Sequence, residues 1–168
     1  MHSIGIRVFA QKNKPGKIYY AIVNVDEKEG VLELVKSSYL NIPIALEVPE
    51  QLAFVRTNFL AIITQYDVRR AGLRITEAIA KNPIVYRMNI EGVLQELFAN
   101  SFIEKYGLIN IARMSSALSE RKENIKKYIE KKDILEGFDK QEWESFKTEE
   151  RECILTAMTM LFQGGSIY

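Results

Sequence analysis

The chain has 168 residues and a mass of 19.3 kDa, which suits one domain spanning residues 1–168 with a sizeable core. An apolar fraction of 47% excludes a disordered chain, and no apolar run approaches the roughly 18 residues that a membrane-spanning helix needs. The 23 Lys and Arg residues nearly balance the 22 Asp and Glu residues, so the sequence lacks the basic excess typical of dedicated nucleic-acid binders. Positive charge segregated onto one face would still allow nucleic-acid binding.

The first forty residues predict three β-strands. Residues 3–10 alternate in polarity, so that Ile4 and Arg7 point to opposite faces of the strand. Residues 18–25 and 31–40 are rich in β-branched and aromatic side chains, which favour strands. Short polar turns separate the three segments, and this pattern predicts an antiparallel meander.

After the third strand, apolar residues recur at helical spacing. This spacing predicts a helix over residues 49–66, and residues 71–76 predict a short buried strand. A second helix is predicted over residues 89–106, with Asn89 as its N-cap. Residues 108–114 predict the last strand.

Three segments complete the chain. Residues 117–132 predict a helix rich in Lys and Glu, and residues 133–146 predict an irregular segment that contains Trp143. Residues 147–162 predict a final helix with an apolar stripe. The order β-β-β-α-β-α-β-α-α predicts an α/β fold, in which helices cover both faces of a mixed sheet.

Several motifs along this order resemble one known family. Residues 3–7, Ser-Ile-Gly-Ile-Arg, resemble an opening strand of two hydrophobic residues, Gly, Ile and Asp. Residues 73–77, Leu-Arg-Ile-Thr-Glu, stand where a fourth strand normally presents a Glu, and residues 149–157 resemble a last helix that carries two Asp three residues apart. Residues 90–95 and the Lys-rich segment 122–129 match the intervening helices. The ordered set resembles the RuvC-type Holliday junction resolvases, and the resemblance implies an RNase H-like fold over nearly the whole chain.

The resemblance also implies a catalytic centre from which this sequence departs. Such resolvases use two divalent cations held by clustered carboxylates. Here Arg7 stands at the first-strand position and Arg74 at the fourth-strand position, and a guanidinium stays protonated and cannot ligate a cation. Glu149 and Glu152 remain, three residues apart and on one helix face. We therefore predict an ion-pair cluster, with bidentate pairing of the arginines to these glutamates, in the space of the metals. No cofactor is predicted, and Mg²⁺ or Mn²⁺ is implied only if the chain is a nuclease.

Each candidate residue has a structural interpretation beside the functional one. Arg7 and Arg74 form either an anion site for a nucleic-acid backbone or a structural salt bridge, and the salt bridge is favoured. Glu149 and Glu152 are either remnant metal ligands or an ordinary charged helix face, and the helix face is favoured. Four further basic residues are predicted at the active-site edge, either to contact phosphates or as solvated surface: Arg69, Arg70, Lys81 and Arg87.

The histidine, the cysteine and the aromatic residues do not indicate a catalytic or binding site. His2 is the only histidine, which excludes internal histidine triads and most zinc sites. Cys153 is the only cysteine, which fits a reducing, cytoplasmic location, and it is predicted to be a buried core thiol. Five aromatics at strand or helix spacing are predicted to be core rather than a base-stacking platform: Tyr19, Tyr20, Tyr39, Phe54 and Phe59.

Three functions follow from these observations. The favoured function is a catalytically degenerate domain that binds branched or structured nucleic acid, through Arg7, Arg74 and nearby basic residues, or binds another protein. The second is a divergent metal-dependent nuclease that uses Glu77, Glu149 and Glu152, and the strand register of residues 68–88 decides whether Glu77 can face the site. The third is a structural subunit whose apolar helices form a homodimer.

Overall fold

The computed structural model describes residues 1–10, 15–26, 31–75 and 84–162. Its strands are β1 (His2–Phe9), β2 (Lys17–Val25), β3 (Leu32–Asn41), β4 (Val68–Arg74) and β5 (Lys105–Ile109). Its helices are α1 (Val48–Gln65), α2 (Val85–Ala99), α3 (Ile111–Ala117), α4 (Lys122–Ile129), α5 (Lys140–Ser145) and α6 (Thr148–Phe162). None of these helices combines the length and the apolar character that crossing a membrane requires.

The five strands form one mixed sheet in the order β3-β2-β1-β4-β5. The strands β1, β2 and β3 pair antiparallel, as the predicted meander requires. The strands β1, β4 and β5 pair parallel, so the carboxyl ends of these three strands meet at one edge of the sheet. The predicted α/β fold with a mixed sheet is confirmed.

Each face of the sheet carries its own core. On one face, Ile4 and Ile6 of β1 pack in a cluster with Phe59 of α1 and Leu94 of α2. On the other face, α6 lies against β1, β2 and β4 and is buried along nearly its whole length. Alternation along β1 explains this division, because successive side chains point to opposite faces.

Gly5 shows how closely α6 approaches the sheet. A Cβ atom at this position would lie 2.0 Å from the carbonyl oxygen of Cys153 and 2.6 Å from the backbone nitrogen of Ala157. Both contacts are with the α6 backbone, so only glycine allows α6 to sit directly on the central strand. This close approach brings the first two turns of α6 within reach of the side chains next to Gly5.

A helix and a strand in the middle of the chain have boundaries that differ from the predicted ones. The helix predicted over residues 89–106 begins at Val85 and ends at Ala99, and Ile84 is its N-cap without a side-chain hydrogen bond. The strand predicted over residues 108–114 ends at Ile109. The side chain of Asn110 there accepts a hydrogen bond from the backbone N–H of Arg113 and begins α3.

The helix predicted over residues 117–132 is also shorter than expected. It covers only α4, because Ser119 takes a positive φ of 53° between α3 and α4 and interrupts helical geometry. The segment predicted to be irregular contains α5, whose N-cap Asp139 accepts a hydrogen bond from the backbone N–H of Glu142. The final helix begins within one residue of its prediction.

Candidate functional site

The strand register places Arg7 and Arg74 side by side. Arg7 of β1 pairs with Arg74 of the parallel strand β4, close to the carboxyl ends of both strands. Both side chains lie on the face that α6 covers, since Arg7 alternates with Ile6 of the opposite core. The α6 helix starts over this edge, and Glu152 in its second turn points at the two arginines.

Both arginines pair with the one carboxylate of Glu152. Arg74 Nε donates a hydrogen bond to Glu152 Oε1 at 3.0 Å. Arg7 Nε lies 3.1 Å from Glu152 Oε2, but its N–H is not aligned with that oxygen, so the contact is an ion pair without a hydrogen bond. The side chains of Arg7, Arg74 and Glu152 are only 13%, 5% and 8% exposed, so solvent screens these charges weakly.

This geometry differs from the predicted cluster in two ways. Each arginine contacts the carboxylate through Nε alone, whereas bidentate pairing was predicted. No described hydrogen bond or ion pair joins Glu149 to Arg7 or Arg74. Glu149 lies three residues before Glu152, which turns it about 60° around the helix axis. Burial, and after it the charge of Glu149, raises the pKa of Tyr19 on β2.

The guanidinium of Arg74 is also bound to the backbone. Its Nη1 donates to the carbonyl oxygens of Ile75 and Ile109, the latter at 3.4 Å. Arg7 Nη1 donates to the carbonyl oxygen of Arg74, also at 3.4 Å. These contacts hold Arg74 rigidly in the sheet edge and leave Arg7 as the more accessible of the two cations.

Arg87, near the start of α2, acts on Arg7 through its charge, although α2 packs on the opposite face of the sheet. Its Nε lies 2.7 Å from Glu91 Oε1, one helical turn away, and both side chains are largely buried. Burial lowers the pKa of Arg7, the charge of Glu152 opposes that shift, and the positive charges of Arg87 and Arg74 reinforce it. Three arginines face two glutamates here, so these five side chains carry a net charge of +1.

Two predicted basic residues lie elsewhere. Arg69 and Arg70 are at the start of β4, roughly 13–17 Å along the strand from Arg74. Arg69 pairs with Asp67 at 2.8 Å, and Arg70 Nη1 donates to the carbonyl oxygens of Met160 and Leu161 at the end of α6. Their predicted place at the active-site edge is therefore wrong, because β4 starts three residues earlier than the sequence pattern indicated.

Glu77 and Lys81 lie outside the described residues, so the structure does not place them. Within the described ranges, no group of three or more His, Cys, Asp or Glu side chains is arranged to hold a metal ion. Both oxygens of Glu152 face guanidinium groups. The described residues of this site therefore do not fit the two-cation centre that the resemblance implies.

The predictions for the cysteine and for most of the aromatics hold. Cys153 is fully buried, and burial raises the pKa of its thiol well above the ordinary value. Tyr19, Tyr20 and Phe59 are buried, and Phe54 is half-buried. The remaining aromatic, Tyr39, is 46% exposed, contrary to the prediction of a core position.

The exposed Tyr39 belongs to a group that sequence reasoning missed. The register pairs Arg7 with Tyr19 of β2, and Tyr19 with Tyr39 of β3. Lys17 and Lys147 lie over the ring of Tyr39, with Nζ 4.3 and 5.9 Å from the ring centroid. We call Lys17, Tyr19, Tyr39 and Lys147 the tyrosine–lysine cluster. The strand register brings Tyr19 and Tyr39 together, and Lys147 joins them from the residue before α6, so no local motif predicts the group.

Comparison with known proteins identifies the fold. No protein-family model and no curated protein sequence matches this chain. The structure of RuvC from Thermus thermophilus is similar with a TM-score of 0.70 and 12% identity, over 96% of this chain and 94% of that chain. The same protein in complex with a Holliday junction substrate has a TM-score of 0.66, with the same identity and coverage. The yeast mitochondrial Holliday junction resolvase has a TM-score of 0.54 and 13% identity, over 95% of this chain and 78% of that chain. The chain therefore has the RuvC-like form of the RNase H-like fold.

Proposed function

We propose that this chain is a single RuvC-like domain over residues 1–168 that binds branched or structured nucleic acid and has lost metal-dependent cleavage. One observation carries the proposal: Arg7 and Arg74 share the carboxylate of Glu152 at the carboxyl ends of the central strands. The lone cysteine and the absence of a long apolar run fit a cytoplasmic location.

The charges at this site favour an anionic ligand. Glu152 neutralises only one of the two arginines it contacts, and Arg87 is balanced by Glu91, so the five side chains keep a net charge of +1. Guanidinium groups donate charge-assisted hydrogen bonds to phosphate oxygens in a fixed planar geometry. A similar fold binds a Holliday junction substrate in RuvC, which supports a branched nucleic acid as the source of that phosphate.

The same charges disfavour a divalent cation. A cation bound by Glu152 would lie beside two guanidinium groups within a few ångströms, in a site with little solvent screening. Glu149, one turn earlier on α6, makes no described hydrogen bond or ion pair with the arginines. Cleavage through Glu77, Glu149 and Glu152 is therefore the competing function rather than the proposed one.

A binding and cleavage assay tests the proposal. The chain is incubated with a four-way junction, a duplex and a single strand, in Mg²⁺, in Mn²⁺ and in EDTA. We expect a complex with the branched substrate that weakens as salt rises, because phosphate contacts release counterions, and no cleavage product in any buffer. Cleavage that requires metal and disappears in Glu149→Gln would refute the loss of catalysis.

Matched variants connect the binding to the site. Arg87→Gln removes one cation from the rim, so we expect the slope of log K against log salt to fall by about 0.9 and the affinity to fall for every sequence. Arg56→Gln is the control, because Arg56 also pairs with a glutamate at 2.9 Å but lies on α1, outside the site. Equal effects of the two substitutions, or no binding by the unmodified chain, would redirect the search to protein partners, including a second copy of this chain.

A further inference from the structure

A single line of side chains crosses the sheet from the arginines to the tyrosine–lysine cluster. Arg74, Arg7, Tyr19 and Tyr39 are successive register partners in β4, β1, β2 and β3. Directly paired residues project from the same face, so all four lie on the side that α6 covers. Arg7 and Tyr39 are two strand spacings apart, roughly 10 Å. The line leads from a buried cation pair to an exposed aromatic ring on the edge strand β3.

Tyr39 is held in place without being buried. Its ring packs against that of Tyr19, with centroids 5.8 Å apart and an angle of 54° between the planes. Lys17 and Lys147 flank it, from β2 and from the residue before α6. Nearly half of the residue remains exposed, so the ring is positioned and still accessible.

The charges around Tyr39 nearly cancel. Glu149 and Glu150 begin α6 nearby and, with burial, raise the pKa of Tyr19. Glu150 is itself engaged: one oxygen accepts from Ser37 Oγ at 3.1 Å and the other from the backbone N–H of Lys147 at 2.8 Å. Two lysines thus face two glutamates, and a ligand at Tyr39 gains little from net charge. The binding free energy of a ligand at Tyr39 must therefore come from contact with the ring.

From this arrangement we propose that Tyr39 is a stacking platform for one unpaired nucleobase of a polynucleotide whose phosphates reach Arg7. The proposal rests on the proposed function and deepens it, because it specifies an unpaired base beside the phosphate site. Bases within a duplex are already stacked on both faces and cannot lie on a protein ring. The bound nucleic acid therefore includes a single-stranded segment or an opened base pair.

The test uses an oligonucleotide in which one base is 2-aminopurine, whose fluorescence falls when it stacks on an aromatic ring. The unmodified chain is compared with Tyr39→Leu, which removes the ring, and Tyr39→Phe, which keeps it. We expect Tyr39→Leu to bind the single strand about 5- to 150-fold more weakly and to abolish the quenching, and Tyr39→Phe to retain both. The slope of log K against log salt should be unchanged in Tyr39→Leu, since no phosphate contact is lost.

The outcomes separate the two proposals. If Tyr39→Leu binds and quenches as the unmodified chain does, the stacking platform is refuted, and the arginine site stands on its own tests. If the unmodified chain binds no nucleic acid at all, both proposals fail. Absence of quenching in the unmodified chain would refute the stacking platform without any substitution, and quenching is assigned to Tyr39 only if variants without this ring lose it. Tyr39→Thr, which suits a strand, provides a second variant without the ring.

Discussion

Replacing Glu152 by Gln should destabilise the protein more than almost any other single change to one of its charged residues. Glutamine keeps the shape of the side chain but removes the negative charge, leaving two guanidinium groups that are 13% and 5% exposed without a carboxylate. Breaking a buried ion pair by removing one partner costs about 3–5 kcal/mol. The amide oxygen can still accept the hydrogen bond from Arg74, so we expect a loss of about 3–5 kcal/mol rather than twice that value, against a total of about 5–15 kcal/mol for a typical domain.

Urea denaturation measures this loss. With an m-value of about 2 kcal/mol per molar, the midpoint of Glu152→Gln should fall by roughly 1.5–2.5 M. Glu149→Gln is the matched control, because Glu149 lies one turn away on the same helix and pairs with neither arginine; its free energy of unfolding should change by at most about 0.5 kcal/mol. A loss below about 1 kcal/mol in Glu152→Gln would show that the two arginines do not depend on this carboxylate.

Three further predictions concern the packing of α6 against the sheet and the segments around it. Gly5→Ala should lower the free energy of unfolding by at least about 3 kcal/mol, because its Cβ would lie 2.0 Å from the carbonyl oxygen of Cys153. Gly92→Ala has open space around its Cβ and should raise the free energy of unfolding by about 0.5–1 kcal/mol. Thermal or urea unfolding of the two variants checks both predictions. Cys153 should not react with a thiol reagent such as Ellman's reagent until the chain unfolds, since burial keeps the thiol inaccessible and raises its pKa; prompt reaction of the native protein would contradict this. Arg151→Met should cost about 1.5–3 kcal/mol, because Arg151 Nε donates at 2.8 Å to the carbonyl oxygen of Ile129; an unchanged urea midpoint would mean that burying the guanidinium costs as much as its hydrogen bonds contribute.

Much of the fold follows from local patterns. Alternation in residues 3–10 places Ile4 and Arg7 on opposite faces, and the structure has them there. The final helix also follows from its apolar spacing and begins at Thr148. The order of the first seven elements, from β1 to β5, is therefore accessible from one sequence, and the motif resemblance adds the RuvC-like fold.

The helix and strand boundaries that were predicted wrongly depend on helix caps and on packing. The N-cap of α2 is Ile84, which has no capping side chain, and Asn89, five residues later, was wrongly predicted as the N-cap. Asn110 is the N-cap of α3, and a predicted N-cap at this residue would have placed the end of β5 correctly at Ile109. Single polar residues identify a helix start only when the packing of the following turn is known as well.

The arrangement of the site depends on register, which sequence patterns do not determine. Arg7 and Arg74 were predicted to share a site because of a family resemblance, not because of any spacing in the chain. The displacement of Arg69 and Arg70 to the far end of β4 follows from a strand that begins at Val68. The exposure of Tyr39 follows from its place on the edge strand, which only the completed sheet reveals.

The shared carboxylate has an evolutionary consequence. Arg7, Arg74 and Glu152 together carry one positive charge, and a single change such as Arg7→Asp would leave two buried carboxylates with one guanidinium. The two arginines are coupled through the carboxylate they share, so their substitutions should be strongly non-additive. Evolution between an acidic, cation-binding centre and this site must therefore pass through a protein with unbalanced buried charges, or substitute both positions in close succession. Related chains should accordingly carry both arginines or neither, so that the two positions vary as one unit.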